Sequence, residues 1–345
     1  EQTEAVAVAR ISWLSAGTLI VISHLVAAHN ASKRFLLPTL AHLPAHLGMS
    51  LLSLVWGHRF GIVALAWGML VGYAMALPML FRGMSRELVY DRECLAKWPE
   101  ARRVLLRMPT VLVSMLCFTM YGTVDAVWAS RLGQAQLTYL AYGQRLLIAV
   151  GNAIVLGPAT VLLPRLSEAA LTDRQAPSVY GERMTRMVLA FAAPAAVVLG
   201  ILSEPLTQLL FERGAFTHAT TLGVASVLPG MFTGMVPMLG VVMLFKALYA
   251  RNDSTGAARI SVTGVALYFT ASGLLSRLVG LQGIVAAYVL SWSVMLALGL
   301  ARVTAGARTK IWNARNSGFL ARLGASLAAT AAVTTIRAAA RYEFF

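Results

Sequence analysis

TVLVSMLCFTMYGTVDAVWASRL (110–132) and TYLAYGQRLLIAVGNAIVLGPATVLLP (138–164) are each long and apolar enough to cross a bilayer, and each carries one ionisable residue in its interior, Asp125 and Arg145. A charged side chain at the centre of a membrane helix costs roughly 2.5–3.5 kcal/mol on insertion scales, so it is kept there by a partner or a task. Arg145 lies about eight residues into its span, well below the interface at about 1.5 Å of rise per residue. Asp125 lies about six residues from the end of the preceding span. The two spans form an antiparallel hairpin, which brings the two charges to similar depth. They are expected to pair, or to share a water-filled cavity. The pair is either purely stabilising or an anion-binding arginine tuned by Asp125. A guanidinium suits phosphate because its planar fork donates two parallel hydrogen bonds. Asn152, two turns beyond Arg145, is expected on the same face, lining the same cavity or making one interhelical hydrogen bond.

The rest of the chain reads the same way. Of 345 residues, 58% are hydrophobic and 12% charged, where soluble domains run about 25% charged. The mean hydropathy is +0.70. Segments of about 20 apolar residues mark membrane spans, and about ten are found, near 7–28, 37–57, 60–81, 104–130, 137–163, 184–203, 220–248, 258–276, 281–301 and 318–336. They lack the short alternation of barrel strands. The fold class is therefore all-α, a polytopic membrane helix bundle.

The net charge of +15 comes with no basic stripe interleaved with aromatics, so no nucleic-acid partner is expected. If the first span runs inwards, 21 of the 29 Lys and Arg fall in loops on the cytoplasmic side and four, Arg59, Arg131, Arg213 and Arg277, on the other. That asymmetry is the positive-inside pattern and orders the spans. The longest polar stretch, RGMSRELVYDRECLAKWPEARRVLLR (82–107), suits an interfacial amphipathic linker. The expected organisation is three spans over 1–81, this linker over 82–107, six spans over 108–303, and a basic linker with one span over 304–345. The Pro229–Gly230 pair and Pro237 suggest a hinge or gate within one span.

No catalytic constellation, Gly-rich phosphate loop or metal-ligand set is present, and neither enzyme activity nor a cofactor is expected. His42 and His46 have a ligand-like spacing, but Pro44 interrupts the helix between them. Cys94 and Cys117 read as free thiols. SEPLTQLLFERGAFTHATT (203–221) is expected to be a short interfacial helix-turn, with Gly214 at the turn and the neighbours Glu212 and Arg213 on different faces. It reads as a cap on the outer end or as a direct contact with substrate.

Four motifs, in order along the chain, carry a family resemblance. HNASKRFLLPTLAHLP (29–44), LAYGQRLLIAVGNAIVLGPATVLLPRLSEA (140–169), LFERGAFTHATT (210–221) and LFKALYARNDSTGAARISV (244–262) resemble segments of the MurJ/MviN lipid II flippases, within the multidrug/oligosaccharidyl-lipid/polysaccharide exporter superfamily. The resemblance implies two bundles of six helices around a central cavity, usually with two more helices at the end. It implies translocation of the undecaprenyl-pyrophosphate-linked peptidoglycan precursor across the bacterial inner membrane by alternating access, for cell-wall synthesis and cell shape. The alternatives are a flippase for another polyprenyl-linked oligosaccharide, or an inactive truncated membrane scaffold. Arg145 matches an arginine of the family's eighth span implicated in cavity function, and Asp125 an acidic position linked to cation coupling in some relatives. The polar residues that go with it in those relatives are not evident in VTGVALYFTASG (262–273), which leaves cation coupling without support in the sequence. The implied partners are a polyprenyl-pyrophosphate-linked glycan lipid, membrane lipids and peptidoglycan-synthesis proteins. The chain opens EQTEAVAVAR, and the alignment of motifs suggests a chain lacking the family's first three spans and its last.

Overall fold

In the computed structural model the described residues are 2–32, 34, 36–84, 98–172 and 176–305, and among them every regular element is an α-helix. There are eleven: α1 (Gln2–Ala31), α2 (Leu36–Leu40), α3 (Leu43–Phe60), α4 (Ile62–Met84), α5 (Trp98–Ala129), α6 (Gln134–Thr172), α7 (Ala176–Ile201), α8 (Ser203–Phe211), α9 (His218–Ala250), α10 (Ser254–Val279) and α11 (Leu281–Ala305). Seven are long and apolar enough to cross a membrane. The chain divides into two compact units at Pro99–Glu100, inside the polar stretch expected to link two bundles. The end of that stretch is continuous with the span after it, because α5 begins at Trp98 and runs on to Ala129; residues 85–97 lie outside the described residues. The expected span at 318–336 lies outside the described residues.

In the first unit α4 is the shared partner of α1 and α3. Ile22 and Leu25 of α1 pack with Ala76 and Leu80 of α4 and with Ala41. The buried His29 Nε2 donates to the Leu80 carbonyl at 3.1 Å. The α3–α4 contact is closer still. A Cβ on Gly48 or Gly68 would run into the other's backbone, and one on Gly72 into the backbone of Pro44 and Ala45. Gly68 and Gly72 form the small-xxx-small spacing that lets membrane helices approach backbone to backbone. The span expected at 37–57 is not continuous. It divides into α2 and α3 at Ala41–His42, with Pro44 in the first turn of α3, where a missing N–H costs nothing.

In the second unit α9 is the axis. In its most apolar stretch 83% of residues are buried within the protein, against 50% or less in every other candidate span. A helix apolar all round is one that other helices surround, and α6, α7 and α11 do so. Gly234 and Gly240 lie close under Tyr288 and Leu296 of α11. The suspected hinge at 229–237 lies within one continuous helix, where the Thr233 hydroxyl donates to the Pro229 carbonyl at 2.8 Å. The α9–α10 turn is fastened by Asp253, which caps α10 by accepting from Gly256 N at 3.1 Å and receives the Arg302 fork of α11 at 2.8 and 3.2 Å. Those bonds, Arg302's above all, hold the Asp253 carboxyl below the usual carboxylate range. The Thr110 hydroxyl of α5 donates to Ser254 at 2.7 Å.

Candidate functional site

The polar residues of the second unit fall into two groups, one inside the bundle and one on an exposed face. Asp125 is buried, with 4% of its surface exposed. Its carboxylate accepts hydrogen bonds from Gln144 Nε2 of α6 and from the Tyr268 hydroxyl of α10. Tyr268 stacks on Tyr121, with ring centroids 4.7 Å apart, and Tyr121 stacks in turn on Trp292 of α11. The Tyr121 hydroxyl shares a hydrogen bond with Ser291, whose own hydroxyl donates to the Gly264 carbonyl at 2.9 Å. Neutral donors on α6 and α10 thus bind the buried carboxylate, and ring stacking with the Tyr121–Ser291 bond extends the cluster to α11. Among the described residues no cation is paired with the carboxylate.

The expected pairing of Asp125 with Arg145 is therefore corrected. Gln144 takes the place on α6 that faces Asp125, and the next residue of a helix points about 100° away. Arg145 is exposed on the adjoining face. Its guanidinium lies over the ring of Tyr142, 5.6 Å from the centroid. Ile148, Ala149 and Asn152 continue the same exposed stripe, while Leu140, Leu146, Leu147 and Gly151 form the buried face. Asn152 lies about 10 Å along the axis from Arg145. The two candidate binding residues thus share a face, and Asp125 does not share it.

The loop over 212–217 joins this group. α8 ends at Phe211, and Gly214 turns the chain with φ +62°. Phe211 and Phe216 then meet the Tyr142 ring edge to face, at 5.1 and 5.0 Å between centroids. Glu212 and Arg213 point apart, as their adjacency requires. Glu212 accepts from the Thr221 hydroxyl at 2.7 Å and from His218 Nδ1 at 3.2 Å, whereas Arg213 donates to the Leu209 carbonyl at 3.1 Å. The Thr221 bond, with His218 behind it, holds the Glu212 carboxyl below its ordinary range.

Three residues escaped the sequence reading. Tyr268 stands within 262–273, where the sequence reading singled out no residue, and its hydroxyl donates to Asp125. Gln144 is hidden beside the more conspicuous Arg145. Tyr142 looks like ordinary span filler. The signal available for the first two was a polar atom inside an apolar span, and only the fold says which such atoms meet.

The description "Lipid II flippase MurJ" belongs to the family model that matches residues 1–344, nearly the whole chain. The chain belongs to the MurJ family. A MurJ relative, the lipid II flippase of Burkholderia cenocepacia, is 28% identical over 243 residues, covering 68% of this chain and 47% of its own. The chain spans about half the length of the curated MurJ relatives it matches. A solved MurJ structure in an inward closed conformation superposes with a TM-score of 0.66 at 18% identity, over 85% of this chain and 62% of that one. A point mutant of the Vibrio cholerae MATE transporter VcmN superposes at 0.71 and 16% identity, over 86% and 68% of the two chains. At those identities the likeness is one of fold, shared by two kinds of transporter. The MurJ family is one of multi-pass inner-membrane transporters, not of enzymes, in agreement with the apolar spans and the charge asymmetry of the loops.

Proposed function

We propose that this protein works in translocating lipid II, the undecaprenyl-pyrophosphate-linked peptidoglycan precursor, across the bacterial inner membrane by alternating access. The observation that carries the proposal is Arg145, an exposed guanidinium in the first half of α6 that lies over the Tyr142 ring, in a chain whose residues 1–344 the flippase family matches. Moving a pyrophosphate headgroup through hydrocarbon is opposed by its desolvation. A guanidinium replaces part of the lost hydration, and its fork fits phosphate oxygens two at a time. Asn152, farther along the stripe, offers an amide to the sugar portion. The headgroup is moved rather than cleaved, so no hydrolytic residue is required.

Asp125 has a separate role in this scheme. Buried between neutral donors from two helices, α6 and α10, it is the coupling group, taking up a proton or a small cation as the bundle rearranges. The membrane potential supplies about 2.3 kcal/mol per charge per 100 mV to such a step. Partner proteins of peptidoglycan synthesis would collect the translocated lipid on the outer side.

Complementation tests the proposal. The gene, expressed in a bacterium depleted of its own lipid II flippase, is expected to restore growth, and Arg145→Ala is expected not to. Rescue of polysaccharide export alone would assign another polyprenyl-linked oligosaccharide, and equal rescue by Arg145→Ala would remove the arginine from the mechanism.

A further inference from the structure

We infer that Tyr142 is a positioning residue for Arg145, and that the outer loop 212–217 acts on the binding face of α6 through it. The inference rests on the reading of Arg145 as the pyrophosphate-binding cation. It adds a route by which a loop outside the bundle sets that cation's posture.

Tyr142 and Arg145 are three residues apart, so they stand on one helix face. An arginine on an exposed face samples many rotamers, and a ring one turn earlier favours the rotamer that lays the guanidinium across it. The observed 5.6 Å between Arg145 Cζ and the ring centroid is that arrangement. The posture leaves binding intact. Contact with a ring uses the π face of the guanidinium, whereas phosphate recognition uses the N–H fork in its plane.

The ring must itself be held still for this to matter. Two edge-to-face contacts hold it, from Phe211 at the end of α8 and from Phe216 just before α9, and the two phenylalanines also meet each other at 5.8 Å. Both reach one ring because the chain reverses between them, at the positive φ of Gly214 and with Phe216 N donating to the Arg213 carbonyl at 3.2 Å. The loop is anchored on its α9 side by the Thr221–Glu212 and His218–Glu212 contacts. The chain of contact runs from the Glu212 clasp through Phe216 and Tyr142 to Arg145. The loop is thus more than the cap or direct substrate contact that its sequence suggested.

The test is binding of farnesyl pyrophosphate to the purified full chain in detergent, in variants made with and without Arg145→Ala. Arg145→Ala is expected to weaken binding about tenfold or more. Tyr142→Leu is expected to weaken it about twofold to fivefold, and Phe216→Leu by part of that. Tyr142→Phe keeps the ring and is expected to bind like the unmodified protein. In the Arg145→Ala background Tyr142→Leu is expected to have no further effect, because the two act through one group. Should Tyr142→Leu fail to fold, Phe216→Leu in the two backgrounds makes the same comparison. Unchanged binding in both Tyr142→Leu and Phe216→Leu, beside a weakened Arg145→Ala, would overturn the positioning role and leave Arg145 as the binding residue. An equal loss in both backgrounds would also overturn it, by showing general support of α6. No binding by the unmodified protein, or binding unaffected by Arg145→Ala, would sink the reading of Arg145 and this inference with it.

Discussion

Tyr268 of α10 donates its hydroxyl hydrogen bond to the carboxylate of Asp125 on α5, joining residues 143 positions apart inside the second unit. Both are buried, and Gln144 supplies the other donor. Replacing Tyr268 with Phe keeps the ring against Tyr121 and removes only the donor. A buried acceptor left short of a partner costs about 1–3 kcal/mol. Tyr268→Phe is therefore expected to lower stability by that amount in equilibrium unfolding, and Asp125→Asn, which keeps the shape of the site, by less. Equal stability of Tyr268→Phe and the unmodified protein would show that the hydroxyl contributes nothing there.

The glycines of α3 and α4 make a second contrast. A side chain at Gly68 would meet the backbone of Gly48 and Met49, which cannot give way as a flexible side chain can. Gly68→Val is expected to push the helices apart and cost about 1–3 kcal/mol or more. At Gly122, in the interior of α5, nothing lies within 4 Å of an added Cβ. Gly122→Ala is expected to stabilise by about 0.5–1 kcal/mol through backbone entropy. Thermal melts of the two variants in the same detergent should move in opposite directions.

The α9–α10 turn separates a cap from an ion pair. Asp253 serves both, accepting from Gly256 N and from Arg302. Arg302→Ala removes only the partly exposed pair and is expected to cost less than about 1 kcal/mol. Asp253→Ala also removes the N-cap, which alone is worth about 0.5–2 kcal/mol, and is expected to cost more. Finding the arginine variant the more damaging would reverse this ranking of cap over charge.

The Glu212 clasp should respond to acid. Its carboxyl is held below the ordinary glutamate range, chiefly by Thr221 and then by His218. A depressed carboxylate stabilises the folded loop at pH values above its unfolded pKa, near 4.3, and that contribution is lost as pH falls through the lower folded value. Amide exchange across 212–221, corrected for intrinsic rate, is expected to be slow at neutral pH and to quicken in that acid window. Glu212→Gln should exchange faster at neutral pH and show no acid step. An acid step of the same size in Glu212→Gln would place the titrating group elsewhere.

How far the sequence could be read depended on the range of the interaction. The helices and the short turn at Gly214 follow from local hydropathy and one glycine, and the structure has helices or a turn at each described position. The 37–57 span is not one continuous helix, and its interruption falls at Ala41–His42, ahead of Pro44, which sits in the first turn of α3 rather than breaking it. Asp125 and Arg145 were conspicuous for the cost of charge in lipid, but their relation was not legible. A shift of one residue around α6 gives Gln144, not Arg145, to the acid, and hydropathy cannot distinguish two neighbours separated by 100° on a helix.

The amino-acid order by itself determined that this chain is a multi-pass helical membrane protein, because apolar runs long enough to cross lipid, separated by basic loops, are properties of each segment alone. The folded bundle decided which polar atoms meet: Asp125 with Tyr268 and Gln144, Arg145 with a ring steadied by the outer loop. Tyr268 reaches Asp125 from 143 positions away, and Phe211 and Phe216 reach Tyr142 from beyond α7, contacts that form only when packing brings both ends within a few ångströms.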